Sequence, residues 1–296
     1  MEYAKASPTD ILVQISLANR GPEASSLHVL PTLWFRNTWT WWPDRPKPSL
    51  RQSPGEDIVT IETSHADLGG FVLHCDGNPS LLLTENDTNN QRLFGTQNAS
   101  PYVKDGINNY VVMGRREAVN PNQTGTKAAA HYQLNIGAGE SALVRLRLTN
   151  TGFRDPFGRQ FTQIVDERRR DANAFYQAIT PLRADKDTAN VMRQALAGML
   201  WSKQHFFLDA DKWLEEHGFD PMRPTPRQVR NREWFHLNSD HIISMPDKWE
   251  YPWFAAWDLA FHTLALSTVD IDFAKQQIDL AAPPSLSASD RADPGL

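Results

Sequence analysis

The sequence predicts an antiparallel β-sandwich over residues 1–152, followed by an α-helical part over residues 153–280. Three observations predict it. Between residues 11 and 149, short apolar or alternating runs are separated by clusters of Gly, Pro, Asn and Asp, with no helical pattern between them. Beyond Gly152, apolar residues recur instead at intervals of three and four. After residue 280 periodicity stops. The stretch from Ala281 through Pro283, Pro284 and Ser285 has no face to bury, so 281–296 reads as a disordered or out-of-frame tail.

In chain order, the run 11–17 begins apolar, then alternates, and ends at the turn cluster Asn19-Arg20-Gly21-Pro22. A second strand covers 27–35, where Pro31 points to an edge or a bulge. Runs 58–63, 71–74 and 81–84 are three more strands. Runs 132–136 and 142–148 alternate about Gly137-Ala138-Gly139-Glu140 and read as a hairpin with one dry face. That turn also matches the dinucleotide fingerprint G-x-G-x-x-A. The fingerprint needs a helix after it, and a strand follows here, so the match is excluded. Residues 84–92 are dense in side-chain oxygens but lack EF-hand spacing, and they read as a polar loop with Asx turns.

In the second part, Phe161, Ile164, Val165, Ala172, Phe175, Tyr176 and Ile179 carry helical spacing. The charged run 166–171 on that helix is a solvated face, since acids flank its arginines. Val191, Met192, Ala195, Leu196, Met199 and Leu200 mark a second helix. A short extended piece covers 205–211, and a long loop rich in Pro and Arg covers 217–232. Helices over 253–266 and 271–280 complete the ordered part.

Composition narrows the function classes. A net charge of −5 gives no reason to expect nucleic acid or an anionic membrane as partner. No apolar run approaches the roughly 18 residues of a bilayer span. The start Met1-Glu2-Tyr3-Ala4-Lys5 has no signal-peptide core, and the lone Cys75 fits a reducing compartment, so the expected location is cytoplasmic. Three glycosylation sequons, at Asn86, Asn98 and Asn122, then read as chance matches. There is no G-x-S-x-G, Walker loop, H-E-x-x-H or cysteine cluster, and nothing calls for a metal or a cofactor. The ten tryptophans fall in two regions, at Trp34, Trp39, Trp41 and Trp42, and from Trp201 to Trp257.

The stretch 248–262 concentrates the chemistry. Trp249, Tyr251, Trp253, Phe254, Trp257 and Phe261 surround the single aspartate Asp258. Rings stack on the apolar faces of pyranoses, and an apolar wall keeps a carboxyl protonated near neutral pH. Glycosidic cleavage needs such an acid on one side of the bond and a second carboxylate on the other. On a helix, Phe254, Asp258, Phe261 and His262 share a face. Asp258 is the candidate general acid; the bland reading is an aspartate bonded to backbone or arginine in a helical core. Candidate substrate-binding residues are Trp249, Tyr251, Trp253 and Trp257, with Trp234, His236 and Asn238 from the preceding segment. Glu233, Asp240 and Glu250 are candidate second carboxylates. A non-catalytic carbohydrate-binding module, or a structural module with tryptophans as core, fits the same pattern.

Residues 231–234 (NREW), 243–253 (ISMPDKWEYPW) and 256–262 (AWDLAFH) resemble bacterial proteins of glycoside hydrolase family 63, which includes processing α-glucosidase and mannosylglycerate hydrolase. The likeness also covers 27–42, 83–110 and 191–203. It implies a β-sandwich followed by an (α/α)6 barrel, inversion at the anomeric carbon, and α-linked glucosides or related sugars as substrate. It places the general acid on the aspartate of the Trp-Asp motif, Asp258. It places the general base on a glutamate further along than this sequence runs, and it makes the start an abbreviated one. Twelve barrel helices at roughly 11 residues each do not fit in the part after Gly152. The expectation is therefore a truncated, inactive fragment of a barrel, with apolar helix faces left open.

Overall fold

A computed structural model describes residues 1–40, 44–53, 58–220, 222–223, 229–245 and 253–281. The expected tail falls almost wholly in 282–296, outside the described residues. The chain forms two compact units, Met1–Ala172 and Asn173–Leu296. Among the described residues, no helix is long and apolar enough to cross a membrane.

The first unit is mostly antiparallel sheet. Its strands are β1 (Glu2–Ser7), β2 (Asp10–Ala18), β3 (Ser25–Val29), β4 (Thr32–Trp34), β5 (Ser49–Gln52), β6 (Val59–His65), β7 (Gly69–Cys75) and β8 (Ser80–Thr84). Two helices follow, α1 (Asn90–Phe94) and α2 (Gly106–Met113), then β9 (Thr124–Gly125), β10 (Lys127–Ile136) and β11 (Ser141–Thr149). One sheet has the order β1-β2-β11-β7-β6-β5-β9. In the other, β10 is flanked by β8 on one side and by β3 and β4 on the other. Val13, Leu50, Ile61, Leu73, Val144 and Leu146 of the first sheet meet Leu81, Leu83, Ala128, Ala130 and Tyr132 of the second in one buried core. Each such aliphatic side chain contributes roughly 1.5–3 kcal/mol by leaving water. That common core makes the pair a sandwich.

Three expectations about this unit are corrected. The runs 132–136 and 142–148 are not a hairpin. They lie in β10 and β11, which belong to different sheets, and the turn between them carries the chain across the sandwich. Alternation identifies a half-buried strand but not its partner. Gly139 at φ 71° makes the crossing turn possible, and Asn19 fixes it, its amide donating to the carbonyls of Ile136 (2.9 Å) and Gly137 (3.1 Å).

Pro31 marks an edge but no bulge. Val29 faces Tyr132 and Thr32 faces Ala129 in one unbroken register, and Pro31 still accepts from the Ala130 N–H at 3.0 Å. Only its missing donor splits the strand.

The β region is also not free of helix. Asn89 caps α1, accepting from the Arg92 N–H, and Gly95 ends it in the left-handed region. Helix α2 covers the outer face of the smaller sheet, packing Ile107, Tyr110 and Val111 on Leu82, Val119 and Ala129.

The outer face of the larger sheet carries a buried ion pair. Arg147, 1% exposed, donates from Nε and Nη2 to both oxygens of Asp10 at 2.9 and 2.6 Å. Its Nη1 donates to the Pro156 carbonyl, and its guanidinium lies 3.6 Å from the Phe153 ring centre. The segment leading into α3 (Arg159–Ile179) is thereby held on the sheet, and Phe157, Phe161 and Val165 pack on Ala4 and Leu12.

The second unit continues with α4 (Lys186–Trp201), β12 (Lys203–Asp209), α5 (Ala210–Glu216), β13 (Asn238–Ser244), α6 (Ala256–Leu266) and α7 (Ile271–Ala281). It is not purely helical as expected, because β12 and β13 pair antiparallel over seven residues each. Phe206, Ile243 and Met245 on the buried side of that ribbon pack with Leu259 of α6. The barrel that the resemblance implies is not what these helices and one ribbon by themselves establish.

Candidate functional site

Helix α6 carries Asp258 in its first turn. It starts at Ala256 rather than 253, because Ala255 is extended (φ −119°, ψ 100°) and its side chain cannot cap. Leu259, Thr263 and Leu266, at i, i+4 and i+7, form the buried stripe. Trp257, Phe261 and Leu264 recur at the same spacing on the open side and are 65%, 62% and 70% exposed. Trp257 and Phe261 meet edge to face with centroids 5.7 Å apart.

Asp258 sits between these faces and is half-buried. No hydrogen bond or ion pair joins it to another described residue. His262, one turn on, is tied through Nδ1 to the Ser244 carbonyl at 3.1 Å.

The rings do not form a single wall. Phe254 precedes the helix, so the expected face of Phe254, Asp258, Phe261 and His262 does not form. Phe254 and Trp253 turn inward, packing against Phe206, Ile243, Met245 and Leu259, with Phe254 6.5 Å from the Phe206 ring. Trp257 and Phe261 turn outward. Trp249, Tyr251 and Glu250, like Trp41 and Trp42, lie outside the described residues.

Trp234 ends a short 3-10 turn over Arg232–Trp234 and stacks on the exposed His236, centroids 6.0 Å apart and planes 20-odd degrees from parallel. Asn238 opens β13 and is exposed. Strand β13 places Asn238 and Ser244 at opposite ends, roughly 20 Å apart. No hydrogen bond or ring contact links Trp234, His236 or Asn238 to α6 among the described residues.

A pair that the sequence reading missed lies across the ribbon. His205 Nε2 is 2.6 Å from Asp240 Oδ1, on the face that also exposes Phe207 and Ile242. Alternation in both strands would have put them together had the partnering been known. Asp240 is therefore engaged, while Glu233 is exposed and 3.9 Å from Arg232. Lys203 bonds the Asp270 carboxylate, which also caps the Phe273 N–H at 3.1 Å, and this hydrogen bonding holds the carboxyl below its usual range. Among the described residues, no group of three or more His, Cys, Asp or Glu lies close enough to hold a metal ion.

No known family profile matches the chain. It is 36% identical over 310 aligned positions to the uncharacterized protein YMR196W of Saccharomyces cerevisiae, an alignment that takes in 93% of this chain and 28% of that protein. The chain thus spans little more than a quarter of the length of the curated relative it matches. Among solved structures it is similar to a proposed kojibiose phosphorylase from the human microbiome, at 12% identity, covering 72% of this chain and 24% of that one. The TM-score is 0.26, a superposition too loose to assign a shared fold.

Proposed function

We propose that Asp258 is the general acid of an inverting glycoside hydrolase acting on α-linked glucosides or related sugars, the chemistry of glycoside hydrolase family 63. The observation that carries this reading is the placement of Asp258. It is a half-buried carboxyl in the first turn of α6, with no described partner, beside the open ring of Trp257. A structural aspartate in that position would be expected to hold a backbone or arginine partner.

In the reaction, the Asp258 carboxyl gives its proton to the glycosidic oxygen as the bond to the anomeric carbon breaks. Water attacks the opposite face, and a carboxylate across the bond takes its proton. The reading assigns that carboxylate to no residue of this chain.

The test uses the full-length yeast relative. If the residue of that protein aligned with Asp258 is also an aspartate, replacing it by Asn should cost about 10²–10⁴ in kcat on an alkyl α-glucoside, the range of general-acid catalysis. On α-glucosyl fluoride, whose leaving group needs no proton, the loss should be far smaller. Equal losses on both substrates, or release of the retained anomer, would overturn the assignment.

A second reading is sugar binding without catalysis, favoured by the open Trp257–Phe261 pair. Sugar binding that survives Asp258→Ala, with no hydrolysis in the full-length relative, would establish it.

A further inference from the structure

A cleft of about 560 Å³ lies at one end of the sandwich, wholly within the first unit. The turn between β7 and β8, residues 76–79, with Ser80 at the start of β8, forms one side, and β10 and β11 form the other. This is within the roughly 300–1,000 Å³ typical of small-ligand sites. We propose that it binds a neutral polyhydroxylated small molecule, a hexopyranose being the simplest, and that it does so independently of Asp258.

Charge excludes the ionic alternatives. The Asp76 carboxylate takes Nε and Nη2 of Arg145 at 2.7 and 2.6 Å, and Arg145 Nη1 donates to the Phe157 carbonyl at 3.1 Å. The Asp76 carboxylate on the wall is thus matched by Arg145, which leaves neither a free carboxylate for an amine nor a free guanidinium for an anion.

The remaining polar groups are Asn78, Ser80, Gln133 and the His131 imidazole, whose Nε2 lies 2.7 Å from His28 Nδ1 and whose Nδ1 has no hydrogen-bond partner among the described residues. Amides and hydroxyls both donate and accept, which is what sugar hydroxyls also do. Leu134 and the exposed Leu143 supply an apolar surface for the body of a ring.

The sheet adds backbone groups. Strand β8 covers β10 only as far as the Ser80–His131 pair. Ala130 donates toward Pro31, so odd-numbered residues of β10 direct their backbone groups to the opposite side, where β8 runs. Gln133 lies just past the end of β8, and its N–H and C=O face the cleft with no backbone bond to the turn.

The site is also preformed. The Tyr132 hydroxyl donates to the Asp76 carbonyl at 2.9 Å, and the Asp76 N–H donates to the Arg145 carbonyl at 3.0 Å. Both bonds hold Asp76 at the start of the turn, and the Ser80–His131 pair holds its other end, before a ligand arrives.

Titration of the whole chain with methyl α-D-glucopyranoside, followed by amide NMR shifts, tests the proposal. Saturable shifts should appear in residues 76–80 and 131–134. Gln133→Ala should weaken binding by about fivefold, the size of one hydrogen bond. Leu143→Trp, which fills the cleft from an exposed position, should abolish binding, and Asp258→Asn should leave it unchanged. Absence of saturable shifts, or binding intact in both cleft variants, overturns the proposal, as does markedly tighter binding of glucuronate or glucosamine. Loss of binding in Asp258→Asn alone also overturns it, by placing the sugar at α6, and leaves the reading of Asp258 standing.

Discussion

The two units bury their apolar residues differently. In the first, each face of each sheet carries a packed layer, although single apolar side chains such as Tyr3, Trp34 and Leu143 stay open. The inner faces meet each other, α2 lies on one outer face, and the start of α3 lies on the other. In the second, each element buries one stripe and leaves another open. Helix α6 hides Leu259 and Leu266 but exposes Trp257, Phe261 and Leu264; α4 exposes Val191 and Trp201; α7 exposes Ile271 and Ile278. A sheet pair has two inner faces that satisfy each other, whereas helices apolar on more than one side need neighbours all round. The sandwich unit should therefore respond to damage at its buried contacts, and the helical unit should be forgiving on its open faces.

The largest expected effect tests the sandwich at its most buried charge. Asp10→Ala leaves Arg147 buried without its carboxylate and should cost about 3–5 kcal/mol. Replacing both, as Asp10→Leu with Arg147→Met, should recover most of that loss, because the desolvation of both charges disappears together. Urea unfolding of Asp10→Leu, Arg147→Met and the double variant measures the cycle. A double variant no better than the singles would mean that the Pro156 and Phe153 contacts of Arg147 matter more than its charge.

The next test compares two leucines on one helix. Leu259→Ala removes a side chain that is 1% exposed and should cost about 2–5 kcal/mol through the cavity it leaves. Leu264→Ala, on the open face, should change stability by less than about 0.5 kcal/mol. Leu264→Lys should lower any self-association seen by sedimentation, because an open apolar stripe is what drives it. Similar costs for the two alanine variants would show that the open face is covered in solution.

The same contrast explains what was legible in the sequence. A strand such as β11, which buries Val144 and Leu146 on one face, is visible because burial leaves a period-two record. Strands β1 and β5 are not, since each buries one apolar side chain, Ala4 and Leu50. Strand β13 is hidden by its polar half, Asn238 to His241, although Ser239 is buried. Which strand pairs with which is a long-range choice that alternation cannot encode, and so β10 and β11 read as a hairpin. Helices α6 and α7 were legible within three residues at either end. At the candidate site, Asp258 stood out by its motif. The inward turn of Trp253 and the outward turn of Trp257 depend on where α6 begins, and Ala255 gives no sequence signal for that.

Acid separates the units by pH window. Burial, and then the neighbouring His28 imidazole 2.7 Å away, pull the His131 imidazole below its ordinary 6.5. The unfolded chain then takes up a proton near 6.5 that the folded sandwich does not. The stabilisation is present above that pH and declines as pH falls below it, by at most about 1.4 kcal/mol per pH unit. Asp270 in the helical unit is a carboxyl held below its ordinary 3.8, so its contribution is present in full above that pH and is lost only as pH falls below it. Amide exchange between pH 7 and 5 should show protection falling in β10 before α7. In His131→Phe the slope of sandwich stability over that range should flatten, and an unchanged slope would assign it to other groups.

The smallest expected effect is a gain, and it belongs to the helical unit. Gly198 lies inside α4, exposed, and a Cβ built there meets nothing within 4 Å. Gly198→Ala should stabilise by about 0.5–1 kcal/mol, because alanine has less backbone freedom to lose and nothing to displace. Gly125 in the sandwich is the converse. A Cβ there would stand 2.3 Å from the Thr84 carbonyl oxygen, so the same change must push strand β9 off β5 or move β8. Thermal melts of the two alanine variants should therefore shift in opposite directions. If Gly198→Ala also lowers the melting temperature, the open side of α4 is occupied in solution, and the contrast between a closed sandwich and an open helical unit would have to be redrawn at that face.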